Sequence, residues 1–238
     1  MREKTWIPAS FAGTTGAEPV HPSTFPPFHQ STIVIRVDLP FAGKYLDQDK
    51  DAQAVSSVAA ALQSAVIQGC DESPRRVLEF GSGCGIVSIM LALQRPLWQI
   101  TGIEIQTPLH KLALQNAARC EVSVSLINSD IRTFTADEKA DLIVSNPPWQ
   151  KSGSGILSPF DSKNISRFEI RCTMEELLES VKRNLHPSGS AYLIYPRDRE
   201  KDLQITANKT FLDINDSLAA ADLKNHIICH IRHKGMNS

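Results

Sequence analysis

The chain has 238 residues, of which 42% are hydrophobic and 21% charged, and a formal net charge of −1. That length can bury the core of one sizeable domain, and near-neutrality excludes the global basic field that gathers nucleic acid nonspecifically. Five scattered cysteines without a C-x-x-C pair disfavour a disulfide framework or a zinc site, and no run reaches transmembrane length.

Residues 1–30 are rich in proline and lack a hydrophobic period, which reads as a flexible or loosely attached leader, with the folded domain expected over 31–238. The basic start, Met1-Arg2-Glu3-Lys4, has no apolar signal core behind it, so a reducing cytoplasm is the expected location. Ile33-Val34-Ile35 suggests an edge strand or hairpin arm within Ser31 to Leu39. Asp51 to Gln68 follows as a helix with Val55, Val58, Leu62, Ala65 and Val66 on one stripe and Gly69 as its stop.

Val77-Leu78-Glu79-Phe80 then runs as a short apolar strand into Gly81-Ser82-Gly83-Cys84-Gly85, and Ile86 to Arg95 continues as a helix closed by Pro96. Strand, glycine loop and helix make the first half of a nucleotide-binding unit, because glycines permit a tight turn and close backbone approach. A dinucleotide fingerprint begun at Gly81 would need a glycine where Ile86 stands, and no Lys-Ser/Thr follows as a phosphate loop requires. Pyrophosphate is therefore disfavoured. Trp98 to Ile105 forms a second strand ending in Glu104, about 20 residues past the loop, where an acidic group accepts from ribose hydroxyls.

Thr107-Pro108 caps a helix through Leu112, Ala113 and Ala117, and Val122, Val124 and Leu126 alternate as a third strand. Asp130, after Asn128-Ser129, is placed to accept from an adenine amino group; a turn aspartate is the other reading of the same residue. Asp141 to Ser145 is apolar on both faces, as in a central parallel strand, and it stops at Asn146-Pro147-Pro148-Trp149. Pro147 ends the ladder and extends Asn146, giving a stiff turn at the carboxyl end of a strand, where open α/β sheets bind ligands. Asn146 and the proline carbonyls offer acceptors for a planar –NH2 group, and Trp149 offers a stacking face. Taken alone, the tetrad reads equally as a proline-rich strand end.

Gln150 to Ser162 is long enough for a lid or substrate loop. Lys163, Arg167 and Arg171, spaced by four, would line one side of a helical turn as a phosphate-binding stripe, or simply as a solvated charged face. Thr173-x-x-Glu176 is a capping box for a helix carrying Leu177, Leu178, Val181 and Leu185, with Gly189 expected to stop it. Ala191 to Tyr195 reads as the next strand. Phe211 to Ile214 and His226 to Ile231 read as closing strands, with a short helical piece from Asp216 to Leu223 between them. His226, His230 and His233 have no carboxylate or cysteine set beside them, so no metal is expected.

The ordered set Glu79/Gly81/Gly83/Gly85, Glu104, Asp130 and Asn146-Pro147-Pro148-Trp149 resembles the class I S-adenosylmethionine-dependent methyltransferases, in the branch with a D/N-P-P-Y/F/W motif. The resemblance covers about residues 70–200. Past the tetrad, Ser158-Pro159, Lys163, Arg167-Phe168-Glu169 and the Thr173-capped helix are similar to the tRNA adenine-N6 methyltransferases acting on valine tRNA. Trp149 stands where Tyr or Phe is commoner.

The resemblance implies a Rossmann-like α/β fold, a mostly parallel sheet with helices on both faces and an antiparallel closing strand. It implies S-adenosylmethionine held by Gly81, Ser82, Gly83 and Gly85, with Glu79 supporting the loop, Glu104 on the ribose and Asp130 on the adenine. Asn146, Pro147, Pro148 and Trp149 become the catalytic tetrad, and Lys163, Arg167 and Arg171 the substrate contacts. The implied reaction is N-methylation of a planar amine, foremost adenine N6 in structured RNA such as tRNA. Guanine N2 in RNA, glutamine N5 in a protein, and a non-catalytic nucleotide- or RNA-binding module are the alternatives.

Overall fold

The computed structural model describes residues 34–49, 57–147, 172–219, 223 and 225–235. The expected leader 1–30 and the loop 150–162 lie outside the described residues. In chain order the elements are β1 (Val34–Asp38), β2 (Tyr45–Asp49), α1 (Ser57–Gly69), β3 (Arg76–Phe80), α2 (Ile86–Gln94), β4 (Gln99–Glu104), α3 (Thr107–Cys120), β5 (Ser125–Asn128) and β6 (Ala140–Ser145). Then come α4 (Met174–Asn184), β7 (Leu185–Pro196), a 3-10 turn at Arg197–Arg199, α5 (Glu200–Lys209), β8 (Leu212–Ala219) and β9 (His226–His233).

Seven strands form one sheet in the order β5-β4-β3-β6-β7-β9-β8. The first five in that row are parallel, and β9 runs antiparallel between β7 and β8. The period-two alternation of the central strands divides the core. Val77, Leu142 and Val144 face one layer, with Val58, Leu62 and Val66 of α1, Met90 and Leu91 of α2, and Leu112 and Ala117 of α3. Leu78, Phe80 and Ile143 face the other, with Leu177 and Val181 of α4 and Leu203 and Ala207 of α5. Both faces of β3 and β6 are thereby covered, which is why these strands read as continuous apolar runs.

β1 and β2 form a separate antiparallel hairpin, with Val34 opposite Asp49 and Asp38 opposite Tyr45. It lies against α3. Leu46 is fully buried, Asp47 pairs with Arg119, and Lys44 pairs with Glu121 at 2.8 Å.

Three sequence expectations are corrected. The helix opened by Thr173 ends at Asn184, before Gly189; Leu185 already begins β7, so the strand is longer than Ala191 to Tyr195. Gly189 instead lies where the β6–β7 register shifts between Ala140 and Leu142. A Cβ there would sit 2.9 Å from the Asp141 carbonyl oxygen and from Leu185 Cδ1, and 3.0 Å from the Ala140 oxygen. Backbone oxygens cannot yield as a side chain can. Gly189→Ala is therefore expected to destabilise the fold by about 1–3 kcal/mol in urea unfolding.

The second correction concerns Asp216 to Leu223, expected as helical. Residues through Ala219 belong to β8, which pairs with β9 from Leu212↔His233 to Ala219↔Ile227. The third strand, read from Val122, begins only at Ser125. The capping box is present as expected: Thr173 Oγ1 accepts from the Glu176 N–H at 3.2 Å, and the Thr173 N–H donates to Glu176 Oε2 at 2.8 Å.

Candidate active site

Strand order creates the site. From β3 the chain steps outward to β4 and β5, then returns to the other side of β3 as β6. That reversal opens a crevice at the carboxyl ends of β3 and β6, where ligands bind in open α/β sheets. The register brings the predicted residues to one level: Phe80 lies opposite both Ile103 and Ser145, and Glu104 opposite Asn128. Gly81, Glu104 and Asn146 therefore leave neighbouring strands side by side.

The glycine loop is fastened from below. The N–H groups of Gly81 and Ser82 donate to the Ile103 carbonyl at 2.9 and 3.0 Å. The Gly83 N–H donates to Glu104 Oε2 at 2.8 Å, and the other carboxylate oxygen accepts from the Gln106 N–H at 2.7 Å. Gly81, Gly83 and Gly85 have φ of 72°, 56° and 86°, the left-handed region that side chains disfavour. Among the described residues, a Cβ on Gly81 or Gly83 would meet nothing within 4 Å, so no described side chain or backbone fills these two positions. Gly85 differs: its Cβ would lie 3.2 Å from that of Ala113, so this glycine lets α3 approach the loop.

The loop also depends on a glycine that strand pattern alone did not single out. A Cβ on Gly102 would lie 2.9 Å from Ser82 Cβ. A glycine inside a strand commonly marks such a close backbone approach, and this was the available signal. Ser82 itself is buried, and its Oγ has no hydrogen-bond partner among the described residues.

Glu79 is 2% exposed and turns beneath the loop. Its Oε2 accepts from the Ser88 N–H at 2.9 Å and from the Ser88 hydroxyl, so the carboxyl caps the N-terminal turn of α2 from the preceding strand. Burial pushes this carboxyl from its ordinary 4.5 up to about 8, against the pull of the two Ser88 bonds. The folded state thus holds a proton that the unfolded chain releases above pH 4.5. This contribution to stability is complete below pH 4.5, falls as pH rises, and is gone past about 8. Glu79→Gln, which keeps the acceptor for Ser88, is expected to flatten the loss of stability across that window in urea titrations at stepped pH.

Glu104, 4% exposed, is also pushed up by burial, and the N–H groups of Gln106 and Gly83 oppose the shift. At the end of β5, Asn128 Nδ2 donates to the Glu104 carbonyl at 2.7 Å. Asp130 follows, and Arg132 holds its carboxylate in a fork: Nε lies 3.0 and 2.9 Å from the two oxygens, and the Arg132 N–H donates to Oδ1 at 2.9 Å. Arg183 of α4 clamps the same loop by donating to the carbonyls of Ile131, Arg132 and Phe134.

On the other side of the crevice, Ser145 is fully buried and donates to the Phe80 carbonyl at 2.7 Å, tying the end of β6 to the end of β3. Asn146 follows directly. Its Oδ1 is buried and has no hydrogen-bond partner among the described residues. A buried carbonyl oxygen without a donor is costly and uncommon in a folded protein. Pro147 is described; Pro148 and Trp149, and the basic residues Lys163, Arg167 and Arg171, lie outside the described residues. Among the described residues, no group of three His, Cys, Asp or Glu side chains is placed to hold a metal ion.

The sequence model of the methyltransferase small domain matches residues 57–212. A Porphyromonas gingivalis protein named tRNA1(Val) (adenine(37)-N6)-methyltransferase is 33% identical over 141 residues, covering 56% of this chain and 54% of the relative. Relatives of the same name from Dyadobacter fermentans and Tolumonas auensis are 30% and 33% identical, over 63% and 67% of this chain and 62% and 66% of their own lengths. The chain thus spans little more than half the length of the first of these. Among solved structures, a Pyrococcus furiosus methyltransferase superposes with a TM-score of 0.61 at 17% identity, covering 83% of this chain and 92% of that one. The Thermus thermophilus 16S rRNA N2 G1207 methyltransferase, solved with AdoMet and guanosine, gives 0.60 at 17% identity over 85% and 50%. These two likenesses establish the shared fold.

Proposed function

Because the chain belongs to the methyltransferase small domain family, we propose that it is an S-adenosylmethionine-dependent N-methyltransferase acting on adenine N6 in tRNA. The observation that carries the reading is the buried Oδ1 of Asn146 at the crevice, an acceptor with no donor among the described residues. The names of the 30–33% identical relatives supply the substrate class.

The residues present fit the cofactor. No atom of the described residues covers the Cβ side of Gly81 or Gly83, which leaves room for a ligand to approach the backbone. Glu104 uses one backbone N–H on each carboxylate oxygen and keeps lone pairs for ribose hydroxyls. Asp130, held in place by Arg132, would meet the adenine. When bound, S-adenosylmethionine supplies a methyl group made electrophilic by its sulfonium.

The protein's own task is to bind and orient the amine. An exocyclic amine is a weak nucleophile because its lone pair is delocalised into the ring. Asn146 Oδ1 and the Pro147 carbonyl would accept its two N–H groups and fix its geometry, a proximity and orientation effect. Trp149 would stack on the ring, and Lys163, Arg167 and Arg171 would hold RNA phosphates. No strong base is needed, since the proton can leave after attack.

We assign residues 31–238 to a single domain and place the protein in the cytoplasm. All five cysteines are free thiols, and no helix among the described residues is long and apolar enough to cross a membrane. The test is transfer of labelled methyl from S-adenosylmethionine into separated tRNA, rRNA and protein fractions. Label in tRNA that digests to N6-methyladenosine is the expected result. Label confined to protein would replace this reading with glutamine methylation, and label in rRNA as N2-methylguanosine would replace it with guanine methylation.

A further inference from the structure

The stretch matched by the family begins at residue 57, yet the glycine loop is tied to the hairpin that precedes it. The tie is Asn116, in the middle of α3 and fully buried. One hydrogen of its Nδ2 goes to the Cys84 carbonyl and the other to the Asp47 carbonyl, each at 2.9 Å. Its Oδ1 accepts from the Asp47 N–H at 2.9 Å and from Arg119 Nη1 at 2.8 Å. Both donors and both acceptor sites of the carboxamide are thus used. No other side chain supplies two donors and two acceptors in that volume, and asparagine is otherwise a poor residue for a helix interior.

The contacts on either side of Asn116 are equally specific. Cys84 stands between Gly83, which borders the open crevice, and Gly85, against which α3 packs. On the hairpin side, Arg119 Nη2 donates to Asp47 Oδ2 at 2.7 Å, and its guanidinium lies 5.2 Å from the centre of the Tyr45 ring. Cys120 Sγ contacts the Tyr45 carbonyl at 3.4 Å. The hairpin is therefore fixed to α3 by backbone and charge at once, and one buried amide carries that fixation on to the loop.

We infer that Asn116 is a positioning residue for the cofactor loop, and that the hairpin Val34–Asp49 is a working part of the cofactor site although it lies before the matched domain. This rests on the reading of the glycine loop as the cofactor site. The hairpin and the cofactor each order the same short segment, one through the Cys84 carbonyl and the other through the open side of Gly81 and Gly83. Two elements that order one segment share free energy, and the sharing is reciprocal: what stabilises one must stabilise the other.

Reciprocity gives a test on the unaltered chain. Amide hydrogen exchange is followed at Leu46 and Asp47, with and without saturating S-adenosylhomocysteine. The Asp47 N–H, which donates to Asn116, is expected to exchange on the order of tenfold more slowly with the ligand, a coupling of ordinary size. Unchanged exchange at Asp47 with the ligand demonstrably bound would overturn the inference. Failure of the chain to bind the ligand at all would instead sink the cofactor reading beneath it. Asn116→Asp removes both donors while keeping the shape, and is expected to raise the ligand Kd and to abolish the protection at Asp47. Should that variant not fold, Arg119→Met serves, since it removes the ion pair to Asp47 and one donor to Asn116 Oδ1 while leaving the Asn116 bond to the Cys84 carbonyl in place. It is expected to raise KM for S-adenosylmethionine more than it lowers kcat; a kcat loss at constant KM would contradict the assignment.

Discussion

Asn146→Ala is expected to lower kcat on the order of 10²–10³-fold, the loss seen when one preorganised polar contact to a reacting group is removed. Cofactor affinity in the same variant is expected to stay within about threefold, a change of under 1 kcal/mol. The separation of the two effects follows from the geometry. Asn146 leaves β6, whereas the loop that would hold the cofactor leaves β3 and is fastened by Ile103 and Glu104 of β4. The Ser145 hydroxyl bond to Phe80 keeps the two strand ends together and does not depend on the Asn146 side chain. The Asn146 side-chain carbonyl oxygen has no donor among the described residues, so its removal orphans none of their N–H groups, and the variant is expected to melt no lower than the parent. Single-turnover methyl transfer, calorimetric binding of S-adenosylhomocysteine and a melting curve separate these outcomes. Parallel loss of turnover and binding would refute the division of roles.

Glu104→Ala is the second large change, and it should act the other way round. The carboxylate holds the Gly83 N–H at 2.8 Å and the Gln106 N–H at 2.7 Å while presenting acceptors at the crevice. Its loss orphans two backbone donors and removes the charged acceptor for ribose. A hydrogen bond to a charged group contributes about 1.5–3 kcal/mol, so ligand Kd should rise by about 10- to 100-fold. kcat measured at saturating cofactor should fall much less. The decisive comparison is Kd for S-adenosylhomocysteine in parent and variant. A change of less than twofold would place the ribose elsewhere.

The strand ends that carry the candidate site were more legible in the sequence than the outer parts of the fold. Glycines followed by a helix, a glutamate at the end of the next strand and a proline-locked asparagine are local signals whose spacing has few other uses. The central strands were legible for the same reason, since burial on both faces leaves an unbroken apolar run. β2 was not, because of its residues Tyr45-Leu-Asp-Gln-Asp only Leu46 enters the apolar core; its order comes from α3 through Asn116 and Arg119. α5 buries only Leu203 and Ala207, too thin a stripe to stand out. Ala and Leu near position 220 favour helix by propensity. The neighbouring ladder of β9 nevertheless draws Asp216 to Ala219 into β8. Gly189 carried the usual mark of a helix stop and is needed instead where two strands change register.

The place of β9 has a consequence for the order of assembly. It is the last strand among the described residues, yet it lies between β7 and β8 and joins them. A nascent chain emerging from the ribosome can complete the crevice from β3 to β6 early, while β7 still presents an open edge. That edge carries the residues Ala191, Leu193 and Ile194, all destined for full burial. Until His226–His233 emerges, β7 is a template for pairing with any extended segment nearby, including another nascent copy. Loss of the final strand by premature termination should therefore yield aggregation rather than a weakened enzyme, although every residue of the proposed site would already have been made.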